Sequence, residues 1–163
     1  MENKKIKPLE QKAREWLEQR GVTIQHITEL VYYLQSPYHE NLEMEECKYN
    51  VERVLEKREV QNAILTGIQL DMLAEQKKLE EPLQTTIAID ESLYGVDEII
   101  ALSIINVYGS IGFTNYGYID KQKPGILKKL NDKSSGECHT FLDDIVGAIA
   151  AAASSRLAHS QEE

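Results

Sequence analysis

Ile24, Ile27, Leu30, Val31 and Leu34 recur at the i, i+3, i+4, i+7 spacing of one helical face, and the same period returns along most of the chain. Val51, Val54 and Leu55 repeat it between Leu42 and Lys57, as do Ile64, Leu65, Ile68 and Met72 between Glu59 and Gln76. A chain patterned at 3.6 residues per turn buries its apolar side chains by packing helix on helix. Only 4 prolines and 9 glycines interrupt the pattern in 163 residues. Pro8 suits the first position of a helix that runs to Arg20, with Gly21 as its stop signal; Thr23 caps the next helix, and Ser36-Pro37 ends it. A short helix is expected from Leu83 to Asp90. The predicted fold class is all-α: one domain over residues 1–163, with scaffold helices over about 8–90 and a candidate active-site half over about 90–159.

The second half has a different texture. In a helix over about 95–108, Val96, Ile99, Ile100, Ala101, Leu102, Ile104, Ile105 and Val107 leave no polar side. Such a helix is expected to be buried all round, at the centre of the bundle. Tyr108 to Tyr118 holds Gly109, Gly112 and Gly117 and reads as a flexible loop that lets backbone approach a ligand or another helix. A short lysine-rich helix should end near Asn131, and Asn131–Gly136 reads as a polar loop. The last helix should span about Phe141 to His159, where Gly147, Ala148 and Ala150 to Ala153 permit close packing.

The net charge of −9 disfavours nucleic acid as a partner, because phosphate-backbone affinity comes from cations. One stretch runs against the balance: between Asp120 and Lys133 five lysines stand against two aspartates, an excess of three positive charges suited to an anionic group. The polar Met1–Pro8 start carries no signal or anchor, no window is apolar enough for a transmembrane segment, and Cys47 and Cys138 lack a partner motif. The expected location is cytoplasmic.

Acidic residues stand where a helix offers no polar side. Asp97 stacks over Ile100, Ala101 and Ile104, and Glu98 over Leu102 and Ile105; Asp143 aligns with Val146, Gly147 and Ala150, and Asp144 with Gly147, Ala148 and Ala151. A buried, unpaired carboxylate costs several kcal/mol and normally survives protonated, paired or bound to metal. Two such pairs on adjacent helices would solve each other's problem by sharing a cation, and Mg²⁺ takes oxygen ligands from a few carboxylates while keeping water and phosphate oxygens. The two helices are therefore expected to be neighbours, with a carboxylate of each pair in one pocket. The plain alternative is that the acids sit at helix N-termini as dipole-compensating caps, and Thr140-x-x-Asp143 fits an aspartate variant of the capping box.

Asp120-x-x-Lys123-Pro124, then Asp143-Asp144-Ile145-Val146-Gly147, with Val96-Asp97-Glu98-Ile99-Ile100 upstream, resembles the phosphatidylglycerophosphatase A family, and more narrowly its soluble low-temperature-requirement C branch. The ordered trio carries the resemblance, over roughly Asp90 to Ala153. It implies a Mg²⁺-dependent phosphomonoester hydrolase on an all-helical fold, converting phosphatidylglycerophosphate to phosphatidylglycerol. Its acidic site would be Asp97, Glu98, Asp120, Asp143 and Asp144, with Glu98, Asp143 and Asp144 on the metal and Lys123 as the site's cation. The expected partner is a phosphorylated small molecule or a phospholipid head group, with room for transient membrane-surface contact and for a homo-oligomer. The rival reading is a non-catalytic regulatory module that self-associates through its alanine-rich last helix and uses the acidic pairs as caps.

Overall fold

The computed structural model describes residues 7–160, so the first six residues of the polar Met1–Pro8 start lie outside the described residues. Among the described residues all regular structure is helical: α1 Pro8–Gln19, α2 Ile24–Gln35, α3 Met44–Leu55, α4 Arg58–Glu75, α5 Leu83–Ala88, α6 Val96–Ile105, α7 Ser110–Gln122, α8 Ile126–Leu130 and α9 Leu142–Ser160. Short 3-10 turns follow α2 at Ser36–Tyr38 and α8 at Lys133–Ser135. The predicted all-α bundle is what forms. Thr23 caps α2 by accepting the amide of His26 at 3.1 Å, and the His26 ring returns the bond to the Thr23 amide.

The expected central helix is the wrong one. α6 shows solvent a face that includes Val96 and Ile99, the latter 65% exposed. It is α9 that runs through the middle, buried from Leu142 to Ser155 and packed against α2, α3, α4, α6, α7 and α8. The reason is side-chain size. Glycine and alanine at every position but Ile149 between Gly147 and Ala153 let six helices approach one axis, whereas the large aliphatic residues of α6 hold neighbours farther off.

The glycine-rich Tyr108–Tyr118 stretch is not a loop either, because most of it lies in α7. Gly112 serves packing: a Cβ there would lie 2.7 Å from Cγ2 of Ile105 on α6. Gly67 does the same at the crossing of α4 and α9, where a Cβ would collide with Cδ1 of Ile145 and stand 3.0 Å from Cβ of Phe141. Alanine gains roughly 1 kcal/mol over glycine in a helix interior, but overpacking a filled core costs roughly 1–3 kcal/mol. Gly67→Ala is therefore expected to lower the melting temperature; an unchanged or higher value would show that α4 and α9 can move apart.

The start of α9 is fixed from outside its own sequence. Asp71 of α4, fully buried, accepts the amides of Phe141 and Leu142, each at 3.0 Å. Two of the four amides left open at a helix start are thereby satisfied by a carboxylate at the positive end of the dipole. One turn farther along α4, Glu75 accepts the Cys138 amide at 2.6 Å and pairs with Arg20, which also donates to the Cys138 carbonyl at 2.8 Å. The Thr140 hydroxyl donates to the carbonyl of Ile87 at 2.6 Å, so it does not form the capping box its spacing suggests.

Candidate active site

Three helix ends meet because α6 and α7 both pack on α9. The first turn of α6 brings Asp97 and Glu98, the last turn of α7 brings Asp120, and the first turn of α9 brings Asp143 and Asp144. All five line one cavity of about 200 Å³ together with Lys123. Asp97, Asp143 and Asp144 are buried, Asp120 is half-buried and Glu98 is exposed. The two acidic pairs thus share a pocket, as the absence of a polar face on either helix requires.

Lys123 follows α7 in the left-handed region at φ 48° and ψ 50°. Pro124 disfavours the right-handed helical region for the residue before it and so helps end α7 at this point. The bend aims the side chain inward, where Nζ donates to Asp120 Oδ1 at 2.6 Å and to Asp143 Oδ2 at 2.8 Å. Burial works against the ammonium, but Asp143 and Asp120 outweigh it and hold Lys123 above its ordinary range, so it stays charged.

The remaining carboxylates are not balanced in this way. Asp144 shares the pocket with the carboxyls of Asp97 and Asp143 and has no cation of its own. Burial first, then the charges of Asp143 and Asp97, push its carboxyl up to about 10. Asp143 is also raised, because burial outweighs the help of Lys123. Among the described residues Lys123 is the one cation in the pocket wall, against these five carboxylates and two more from Asp90 and Glu91, and Asp97, Glu98 and Asp144 have no cationic partner.

This donor set suits a hard divalent ion. As the side chains stand, no three histidine, cysteine, aspartate or glutamate groups among the described residues close around one point as a metal cage. Mg²⁺ does not need such a cage, since it commonly uses one or two carboxylates and completes its shell with water and phosphate oxygens. Of the three ligands expected from the sequence, Asp143 is taken up by Lys123. That leaves Asp144 with Asp97, and Glu98 at the rim, as the oxygens free for an ion.

All four paired acids stand in the first turn of their helix, as the dipole alternative expects, but none of them acts as the cap. The N-cap of α6 is Gly95, with no side-chain capping bond, and at α9 the capping is done by Asp71. Sequence reasoning missed Asp90, Glu91, Ser92 and Asn131, which also line the pocket. Asp90 takes a left-handed φ of 52°, and its carboxyl is raised by burial and then by Asp143. No spacing signal points to these residues, because they belong to connections whose position is set by the helices on either side.

The profile of phosphatidylglycerophosphatase A matches residues 15–159, and the chain belongs to that family. It is 72% identical over 158 residues to the uncharacterized protein YutG of Bacillus subtilis, covering 97% of this chain and 95% of that one. The low temperature requirement C protein of Listeria monocytogenes has the same fold, with a TM-score of 0.95 at 68% identity over 96% of this chain and 99% of that one. A protein of unknown function from Bacillus stearothermophilus superposes with a TM-score of 0.93 at 76% identity, over 96% and 97% of the two chains. Among the described residues no helix is long and apolar enough to cross a membrane.

Proposed function

We propose that this protein is a Mg²⁺-dependent phosphomonoester hydrolase whose site is the pocket of Asp97, Glu98, Asp120, Lys123, Asp143 and Asp144. The observation that carries the reading is charge: seven carboxylates, Asp90 and Glu91 among them, share one pocket with a single lysine, and the phosphatidylglycerophosphatase A match spans every one of these residues. Asp97 and Asp144, with Glu98 at the rim, would hold the ion. Mg²⁺ bound there would neutralise charge on the phosphoryl oxygens. One carboxylate of the Asp97–Asp144 pair would accept the proton of the attacking water. Lys123 ties the end of α7 to the start of α9 and presents a fixed positive charge to the phosphate. Adding Mg²⁺ should raise the melting temperature of the native protein by mass action. No rise at millimolar Mg²⁺ would remove the metal from the account.

Lys123 gives a separate test. Lys123→Ala removes a half-buried cation from two carboxylates and is expected to lower phosphomonoester turnover at least tenfold, about 1.4 kcal/mol of transition-state stabilisation. Lys128 is exposed on α8 and acts at longer range through screening salt, so Lys128→Ala should cost little. Equal, small and salt-sensitive losses in both variants would reduce Lys123 to one charge of a basic face.

A second reading draws on the exposed Val96 and Ile99 of α6, which suit a self-associating module without catalysis. That module has no use for Mg²⁺, so the same titration separates the two.

A further inference from the structure

Two tyrosine hydroxyls, those of Tyr108 and Tyr116, are buried without a hydrogen-bond partner among the described residues. A hydroxyl so placed has given up its bonds to water without replacing them, and phenylalanine would fill the same space free of that loss. Buried polar groups are nearly always paired, so each exception calls for a reason. The two tyrosines differ in what surrounds them.

Tyr116 lies in α7, about one turn before Asp120, and is only 7% exposed. Its ring reaches α9: Cε2 stands 3.7 Å from the place a Cβ would take on Gly147, which follows Asp144 by about one turn on the same side of the helix. Tyr116 does not itself line the acidic cavity. It stands one layer behind Asp120 and Asp144, which do. Burial, and then the charges of Asp144, Asp120, Glu98 and Asp143 in that order, raise the phenol above its ordinary range. It therefore keeps its proton, and towards carboxylates it acts as a donor.

A carboxylate that holds a metal ion through one oxygen still has lone pairs for a donor on its other side, and such bonds fix the orientation of the ligand. Asp144 is the carboxylate that acts most strongly on Tyr116 and one of those assigned to the ion. We propose that Tyr116 is a positioning residue of the metal site: with the ion bound, its hydroxyl donates to the Asp144 carboxylate and holds it in the binding orientation. The inference rests on the Mg²⁺ reading of the pocket and deepens it. It gives the Tyr116 hydroxyl an acceptor, which phenylalanine could not use.

The test reads Mg²⁺ affinity from the rise of the melting temperature with Mg²⁺ concentration, in the full chain and in its Tyr116→Phe and Tyr108→Phe variants. Tyr108 lies on the connection between α6 and α7, and the charges that act on it are those of Arg156, Arg53, Glu59 and Glu56, none of which lines the acidic pocket. Tyr108→Phe thus deletes a comparable hydroxyl away from the site. Tyr116→Phe is expected to weaken Mg²⁺ binding about tenfold, the lower end of what the loss of a bond to a metal-ligating side chain does. In excess chelator its melting temperature should equal or exceed the parent's, because the deleted hydroxyl has no partner there. Tyr108→Phe should bind Mg²⁺ as the parent does. Unchanged Mg²⁺ affinity in Tyr116→Phe, an equal loss in both variants, or a lower melting temperature of Tyr116→Phe in chelator would overturn the proposal while leaving the metal site standing. A parent protein that does not respond to Mg²⁺ would remove the metal from the account and this inference with it.

Discussion

Asp144→Asn is expected to abolish stabilisation by Mg²⁺ while making the metal-free protein more stable. Asp144 is buried between Asp97 and Asp143, and its carboxyl is raised from an ordinary 3.8 to about 10 by burial and by those neighbours. A folded-state value above the unfolded one means that the native protein holds the proton more tightly. The stabilising contribution is then complete below about pH 4 and is lost progressively as pH rises towards 10. Asparagine keeps the shape without the charge, so the variant should gain roughly 0.5–2 kcal/mol at pH 8, in the range of substitutions that relieve a costly functional site. Its stability should also fall less steeply with pH than the parent's. Urea unfolding between pH 5 and 9, with and without Mg²⁺, reads both effects. An asparagine variant that responds to Mg²⁺ like the parent would show that Asp144 holds no ion.

Asp71→Ala should be the more damaging substitution for the fold. The carboxylate accepts two amides at the start of α9, and hydrogen bonds to charged groups are worth about 1.5–3 kcal/mol each, so a loss of roughly 3 kcal/mol or more is expected. Asp143 and Asp144 follow directly in the chain. Loosening the first turn should therefore weaken the Mg²⁺ response even at temperatures where the variant stays folded. Asp71→Asn keeps one acceptor oxygen and should recover about half of the lost stability. If alanine and asparagine behave alike and the Mg²⁺ response of the folded variants is untouched, Asp71 does no more than fill space.

Asp71 also shows where sequence reading stops. In α4 it is one acidic residue in an amphipathic helix, and nothing in its spacing says that it meets the amides of a helix seventy residues away. Asp90 and Asn131 were hidden for a similar reason, since their place at the pocket depends on how the helices that flank them pack. The four acids on α6 and α9 were legible because each conflicts with its own helix, a carboxylate among isoleucines or alanines that has to be explained locally, whereas Asp120 on α7 was legible only through the family motif. The helices themselves were legible from period alone, and two errors came from reading residue type without volume. Gly112 looked like a loop former but is a close-contact residue inside α7, with Ile105 against its missing Cβ. Both α6 and α9 look apolar all round. Only the smaller side chains of α9 allow six neighbours, so it occupies the centre while Ile99 of α6 remains exposed.

The most direct measurement is release of inorganic phosphate from a panel of phosphomonoesters by the purified protein, with Mg²⁺ and with excess chelator, alongside Asp97→Asn and Asp144→Asn. A site in which these two carboxylates hold the ion predicts release that requires Mg²⁺, stops with chelator and falls by at least about a hundredfold in both variants, some 2.7 kcal/mol. Turnover that survives the chelator, or that both variants retain at the parent's rate, would contradict it.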